Sequence, residues 1–522
     1  MSKSHFAILC LICGGQAAMA EDTVRLEDTG TLPPEQSLLH ETSDMVVLDY
    51  QSIDLADGSG FDLFGIHYLH RLNDWFFAGI GYSTPMIEGD YGGFFAADLT
   101  LHAQKKIFGD WFVDAGVALG AGAGGTNYLG IQELSGTGTY VKKYAGIGYD
   151  FGPVQVGVNY SDISIADSLI DDRTFTFFLQ KPLSFKAGSY SDAGKRIAPP
   201  DTGLLGNETV VSFEFSNVTQ IDPAGDYTGN IGMVSPQVSQ FFDANNYYFF
   251  GLDLGYSGLI WYNQAQSGFG RRIKLTPRFN LYGQVGVGSG GWVTDAFDTG
   301  PGLVVYPKVK AEYMFSNSLG VSASAGYFWA PMGASKNWSL GLGVNYHLPS
   351  AAQAQTPEND QGGVGLSGVR VNLFERVLTN IEYDGGTLDD LYLATVQLDY
   401  KIDDHWYIPI QIAAATNDFR GTAGYVEGLA GIGWEFDPMF SDRVQAYTQV
   451  LYGMNDAGLD PGPLIYPSVG FNYNLSDRYS LYAQVGKTVS LGQYIDPDAY
   501  NVFENVSFGL GVSYRFSLPA WK

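Results

Sequence analysis

The chain has 522 residues, 15% aromatic and only 16% charged, with 67 glycines, two cysteines and a net charge of −27. Soluble proteins average about 25% charged residues, so this surface is poor in charge, and its acidic excess excludes the basic face that nucleic acid requires. Cys10 and Cys13 both fall in the first twenty residues, which leaves no disulfide framework, thiolate metal site or cysteine nucleophile downstream.

Those first residues read "MSKSHFAILCLICGGQAAMAEDT", with Lys3 before an apolar stretch from Phe6 to Cys13 and Ala18-Met19-Ala20 before Glu21. The pattern predicts a secretory signal peptide over 1–20. Residues 21–44 carry seven acidic side chains against one arginine, the composition of a disordered tail, here expected in the periplasm. Beyond the signal there is no run of 18 apolar residues, so no transmembrane helix is expected.

From residue 45 onward the chain alternates at period two. In "VSFGLGVSYRF" Phe508, Leu510, Val512, Tyr514 and Phe516 share one face, and Ser507, Gly509, Gly511, Ser513 and Arg515 the other. "WSLGLGVNYH" (338–347) and "LGVSASAGY" (319–327) divide in the same way. Runs of about ten residues suit strands crossing a bilayer at a tilt of ~45°. Aromatic residues close many of them, among them Trp75, Trp111, Tyr160, Trp338 and Tyr514, as at the two membrane interfaces. Tight turns such as 71–74, 108–110, 151–153, 315–318, 402–404 and 475–477 alternate with longer segments such as 122–135, 161–173 and 490–504. In β-barrels that cross an outer membrane, the short turns are periplasmic and the long loops external.

The pattern repeats with a period of about 160 residues: "PGLVVYPKVKAEYMFSNSLG" (301–320) is echoed by "PGPLIYPSVGFNYNLSDRYS" (461–480). Three units of eight strands are predicted, 45–185, 207–348 and 365–516, separated by Gly-, Pro- and Ser-rich linkers at 186–206 and 349–364 and ending in a short tail, 517–522. The expected fold is all-β, a transmembrane antiparallel up-and-down barrel of about 24 strands. The alternative is three tandem eight-stranded barrels, favoured by the long linkers and by inward glycines and serines alternating with Phe94, Tyr144 and Phe178.

The signal peptide, the alternation, the asymmetry of turns and loops, and "VSYRF" ending on Phe516 resemble Gram-negative outer-membrane β-barrel proteins. The resemblance implies residence in the outer membrane among lipid and lipopolysaccharide, and insertion by the barrel-assembly machinery. "SLPAWK" after Phe516 departs from the aromatic ending usual in that class.

Parity and position pick out the candidate functional residues. Asp98, His102, Asp114, Asn159, Gln284, Asn345 and Arg515 are expected to face a lumen. His67 and His70 are three apart and face opposite sides of their strand, which makes them a poor metal pair. The chain has no G-x-S-x-G or HExxH motif, so no catalytic residue, metal or cofactor is assigned. Asp162, Asp167, Asp171, Asp172, Asp295, Asp298, Asp456, Asp496 and Asp498 fall in the external segments, an acidic rim able to attract cations that bridge to lipopolysaccharide. Arg271, Arg272 and Lys274 form a basic cluster near a periplasmic turn, facing acidic lipid or the acidic tail. The leading functional expectation is a channel or export portal for polar solutes, polysaccharide among them, working with periplasmic export components. A structural protein with filled barrels and partner-binding loops is the alternative, and a lipid-modifying enzyme using His102 comes third.

Overall fold

A computed structural model describes residues 38–124, 134–197, 208–223, 227–259, 262–291, 297–349, 364–383, 386–417, 425–440, 443–456, 462–491 and 503–521. The predicted signal peptide lies outside the described residues, as do most of the acidic tail and 350–363 of the second linker. Nearly everything described is strand, in antiparallel neighbour-to-neighbour order.

The strand count agrees with the alternation, and the closure differs from the leading expectation. The eight strands from Leu39–Asp54 to Asp171–Gly188 form a ring, the first pairing with the last through Met45↔Pro182 and Tyr50↔Phe177. The next eight, Glu208–Gln220 to Lys336–His347, close through Val211↔Tyr346. The remaining long strands, Val364–Tyr383 to Phe503–Trp521, close through Val371↔Tyr514. A single wide barrel of 24 strands is therefore replaced by three eight-stranded rings. The alternation could not decide this, because a lipid-facing row looks the same on a narrow ring and on a wide one.

The two faces of each strand separate as the sequence pattern requires. Leu510 is 57% exposed on the outer wall, whereas Ser507 and Ser513, three residues to either side and on the opposite face, are fully enclosed. Inside, large rings lie over glycines of neighbouring strands. A Cβ on Gly116 would stand 2.3 Å from the Tyr144 hydroxyl, and one on Gly157 would stand 2.3 Å from Phe178 Cζ and 2.5 Å from the carbonyl oxygen of Ile147. Eight strands leave an interior just wide enough for such side chains, so the alternation of glycine with Tyr144 and Phe178 is a consequence of ring size. Gly157→Ala is expected to overpack this layer and to cost about 1–3 kcal/mol, read as a lowered urea midpoint with an unchanged slope.

The short turns show the repeat at the level of hydrogen bonds. Asn73, Asp243 and Asp403 each accept the backbone N–H groups two and three residues on, and so do Ser316 and Ser476. These are turns in which the side chain stands in for a backbone acceptor. The N–H groups of Trp406 and His405 hold the Asp403 carboxyl below its ordinary range.

The rings touch one another. Between the first and second, Gly92 N–H donates to Gly300 O at 3.1 Å, Leu303 N–H donates to Met86 O at 3.1 Å, and Thr84 and Ser289 share a hydroxyl hydrogen bond at 2.8 Å. Ala121 of the first ring clusters with Ala414 and Val426 of the third, while at the other end His70 lies 4.4 Å from the Tyr514 ring. Trp521 Nε1 donates to His347 O at 3.0 Å, joining the third ring to the second.

Two predicted boundaries move. Residues 39–44, read as tail, belong to the first strand, and 517–521, read as a C-terminal tail, extend the last strand along Val364–Gly368. The first linker is partly structured as well. A 3-10 turn at Tyr190–Asp192 and a two-residue strand at Arg196–Ile197 dock against the short-turn end of the third ring. Each of these segments gains ladder partners that only the closed rings provide, so local composition gave no sign of them.

Candidate functional site

All seven residues expected to face a lumen point inward and are buried, but they are divided among three interiors and line no common passage. Asp98, His102, Asp114 and Asn159 lie in the first ring. There His67, enclosed between two acids, has Nε2 3.5 Å from Asp49 and Nδ1 3.8 Å from Asp98. Lys142 Nζ donates to Asp49 at 2.7 Å. His102 Nδ1 is 2.9 Å from the Tyr144 hydroxyl and its Nε2 is 3.3 Å from Gln104 Oε1, so its partners do not include the serine that a nucleophilic triad needs. The Asn159 amide, turned with its NH2 toward Asp114, donates at 2.9 Å. These groups surround a space of about 20 Å³, room for about one water.

Parity predicted His67 and His70 on opposite faces, and the ring places His67 inside and His70 on its outer wall. His70 Nδ1 meets Asp44 at 2.7 Å on the outer wall of the first ring, and Tyr68 donates its hydroxyl to the same carboxylate at 2.5 Å.

In the second ring, Gln284 accepts from the Tyr247 hydroxyl at 3.0 Å and Asn345 accepts from Lys310 at 3.4 Å. Nearby, Arg272 donates two hydrogen bonds to Glu208, each 2.7 Å, and His347 bridges Glu208 at 2.8 Å to Glu312 at 3.0 Å. Lys308 pairs with Glu214 at 3.0 Å. The expected basic cluster is thereby corrected: Arg271 and Lys274 are exposed, but Arg272 is buried inside the ring on Glu208. Alternation within "GRRIKL" puts Arg272 on the inward side, a sign that treating the residues as one cluster overlooks.

The third ring holds Arg370 between Asp399 at 2.7 Å and Glu435 at 2.5 Å, with Lys401 also on Glu435 at 2.9 Å. Arg376 donates to Glu427, and both side chains are completely enclosed. Arg515 sits at the short-turn mouth of this ring. Sequence reasoning overlooked most of these interior ions. Their visible trace is a charge on the Gly/Ser side of an alternating run, as with Lys308, Lys310 and Glu312.

The acidic rim is only partly described. Asp295, Asp496 and Asp498 lie outside the described residues, and Asp456 is described only as part of its strand. Asp162 pairs with exposed Arg173 at 3.0 Å, and Asp172 accepts the Asp54 N–H at 3.0 Å. Asp298 accepts N–H groups from Gly300 and Ala334 at 2.8 and 3.0 Å. These contacts shape loops. Among the described residues no group of three or more His, Cys, Asp or Glu is placed to hold a metal ion.

Closed antiparallel rings with apolar outer walls and polar interiors define the chain as an outer-membrane β-barrel protein. No family model matches it, and no curated protein does. Among solved structures it is similar to Neisserial surface protein A, at 14% identity over 29% of this chain and 97% of that one, with a TM-score of 0.22. It is also similar to the KdgM porin in complex with disordered oligogalacturonate, at 8% identity over 58% and 98%, with a TM-score of 0.15. The siderophore receptor PirA from Pseudomonas aeruginosa aligns at 10% identity over 92% and 80%, with a TM-score of 0.24. At these similarities the neighbours carry no functional argument, which rests on the chain's own geometry.

Proposed function

We propose that the protein serves the outer membrane as a platform of three filled barrels, with its loops and mouths available to partners. One observation supports this reading above the others: each interior is crossed by buried ion pairs, Lys142 on Asp49, Arg272 on Glu208 and Arg376 on Glu427. Opening a passage would break such pairs and strand their charges, which costs several kcal/mol each. Lipid and lipopolysaccharide are the partners proposed for the outer walls and the long loops, with cations bridging the acidic residues there to phosphate. The barrel-assembly machinery is proposed for insertion, and periplasmic export components for the short-turn side.

Transport is the second reading, favoured by the water-sized polar space around His67 and Asp114 in the first ring. In that form it concerns water or small ions, and a portal for polysaccharide would require the interiors to empty. Planar-bilayer recording from the purified full chain separates the two. The expected result is no current step above that of one narrow eight-stranded barrel, and steps of wide-pore size overturn the platform reading.

A further inference from the structure

We propose that the short-turn mouth of the third barrel is a binding site for one oxyanion, carboxylate or phosphate, carried by a small soluble solute or by a lipid headgroup, with Arg515 as its anchor. The first linker and the barrel together build it. Tyr190 and Ser191 present their N–H groups to Asp477, each at 3.0 Å, Ser517 donates its hydroxyl to Ser189 O at 2.8 Å, and Gly194 N–H donates to Leu366 O at 2.8 Å. Between the docked segment and the strand ends lies a cavity of about 430 Å³, bordered by Tyr190, Lys401, Pro438, Gln445, Asn474 and Arg515. That volume lies within the range of small-molecule sites, roughly 300–1,000 Å³.

Arg515 distinguishes this cavity from a packing defect. It is 7% exposed, and its contacts are Asn474 Oδ1 at 2.6 Å, the Ser476 carbonyl and the face of Tyr190 at 5.0 Å. Its Nε–H is enclosed and has no hydrogen-bond partner. Arg272, Arg370 and Arg376, the other buried arginines among the described residues, each hold a carboxylate, whereas the hydrogen bonds of Arg515 go to an amide and a carbonyl. A guanidinium edge kept from water suits carboxylate or phosphate, which can take two of its donors at once.

The other charges at the mouth define the rest of the ligand. Lys401 is committed to Glu435 and to the carbonyl of Asp404. Asp477 and Asp403 are occupied by backbone N–H groups, yet their negative charge, with that of Asp404 on the same cavity, disfavours a second anionic group. The ligand class is thus a body that is neutral apart from its single oxyanion, with Tyr190, Ile402 and Pro438 offering apolar surface to it. A sugar acid or sugar phosphate has this chemistry. The inference does not depend on whether any barrel conducts.

The test uses the full chain in detergent micelles with two probes, glucuronate followed by saturation-transfer NMR and inorganic phosphate followed by phosphorus line broadening. Saturable binding of at least one probe is expected, weakened about tenfold or more in Arg515→Gln, as for loss of a charge-assisted hydrogen bond. Arg515→Lys, which keeps the charge and loses the fork, is expected to fall between. Tyr190→Ala, which leaves every strand intact, is expected to weaken binding as well, and it decides the matter if R515Q does not fold. Displacement of phosphate by nanodiscs containing phosphatidylglycerol identifies a lipid headgroup as the source of the oxyanion. Binding unaffected by them identifies a soluble solute, and either result upholds the site. No saturable binding of either probe, or equal affinity in wild type, R515Q and Y190A, overturns it.

Discussion

Arg376→Met is expected to destabilise the third barrel by about 3–5 kcal/mol, and adding Glu427→Leu is expected to restore much of that loss. The two side chains are fully enclosed, with Arg376 packed 4.5 Å over the Tyr466 ring. Glu427 also accepts from Gln411 at 3.1 Å and from the Tyr425 hydroxyl at 2.9 Å. Removing only the guanidinium leaves a carboxylate with hydrogen bonds but no countercharge, in an environment where water cannot take its place. Truncating one partner of a buried pair costs about this much, whereas replacing both by apolar groups of similar volume is often neutral or stabilising. Hydrogen exchange read by mass spectrometry on the protein in micelles resolves the three rings. Faster exchange confined to peptides from 364–521 is the expected pattern. Equal acceleration in all three would mean that they unfold as one unit, and no recovery in the double variant would mean that Glu427 has further work in the interior.

That the rings are separate was only partly legible in the sequence. Period-two alternation gave the strands, and the length of the connections gave the two ends, because both are local consequences of pleat and turn chemistry. The repeat of Ser316 in Ser476 was likewise visible, since a turn side chain acts within three residues of itself. Closure is a matter of pairing between residues far apart in sequence. Val371 meets Tyr514 and Val211 meets Tyr346, and no single strand encodes which distant edge it will find. The local hint was steric: Gly116 and Gly157 leave room for Tyr144 and Phe178, a fit needed only where the opposite wall is close. The candidate site divides in the same way. Parity placed Asp98, His102 and Arg515 inside, but their partners His67, Tyr144 and Tyr190 come from register and from a linker whose docking is tertiary.

Glu208→Ala is expected to be the most damaging single change in the second barrel, by about 3–5 kcal/mol or more, because it removes the carboxylate that holds the buried Arg272 and also meets His347. Arg272 gives it two hydrogen bonds of 2.7 Å, and His347 Nδ1 lies 2.8 Å away. Without the carboxylate, Arg272 keeps a hydrogen bond to the Ala244 carbonyl at 2.9 Å and the face of Phe241 at 4.2 Å, neither of which neutralises a buried charge. Glu312, on the far nitrogen of His347 at 3.0 Å, still holds the imidazole, so the loss is carried mainly by the arginine. A double-mutant cycle with Arg272→Met therefore isolates the pair, and a coupling of at least about 2 kcal/mol is expected for a charge-assisted bidentate contact. The consequence should also reach the third barrel, because Trp521 Nε1 donates to the backbone oxygen of His347. Hydrogen exchange in Glu208→Ala is expected to rise across 208–347 and, outside that range, at the end of the last strand near Trp521. Exchange unchanged near Trp521 would mean that this contact merely accompanies the two barrels' positions without helping to set them.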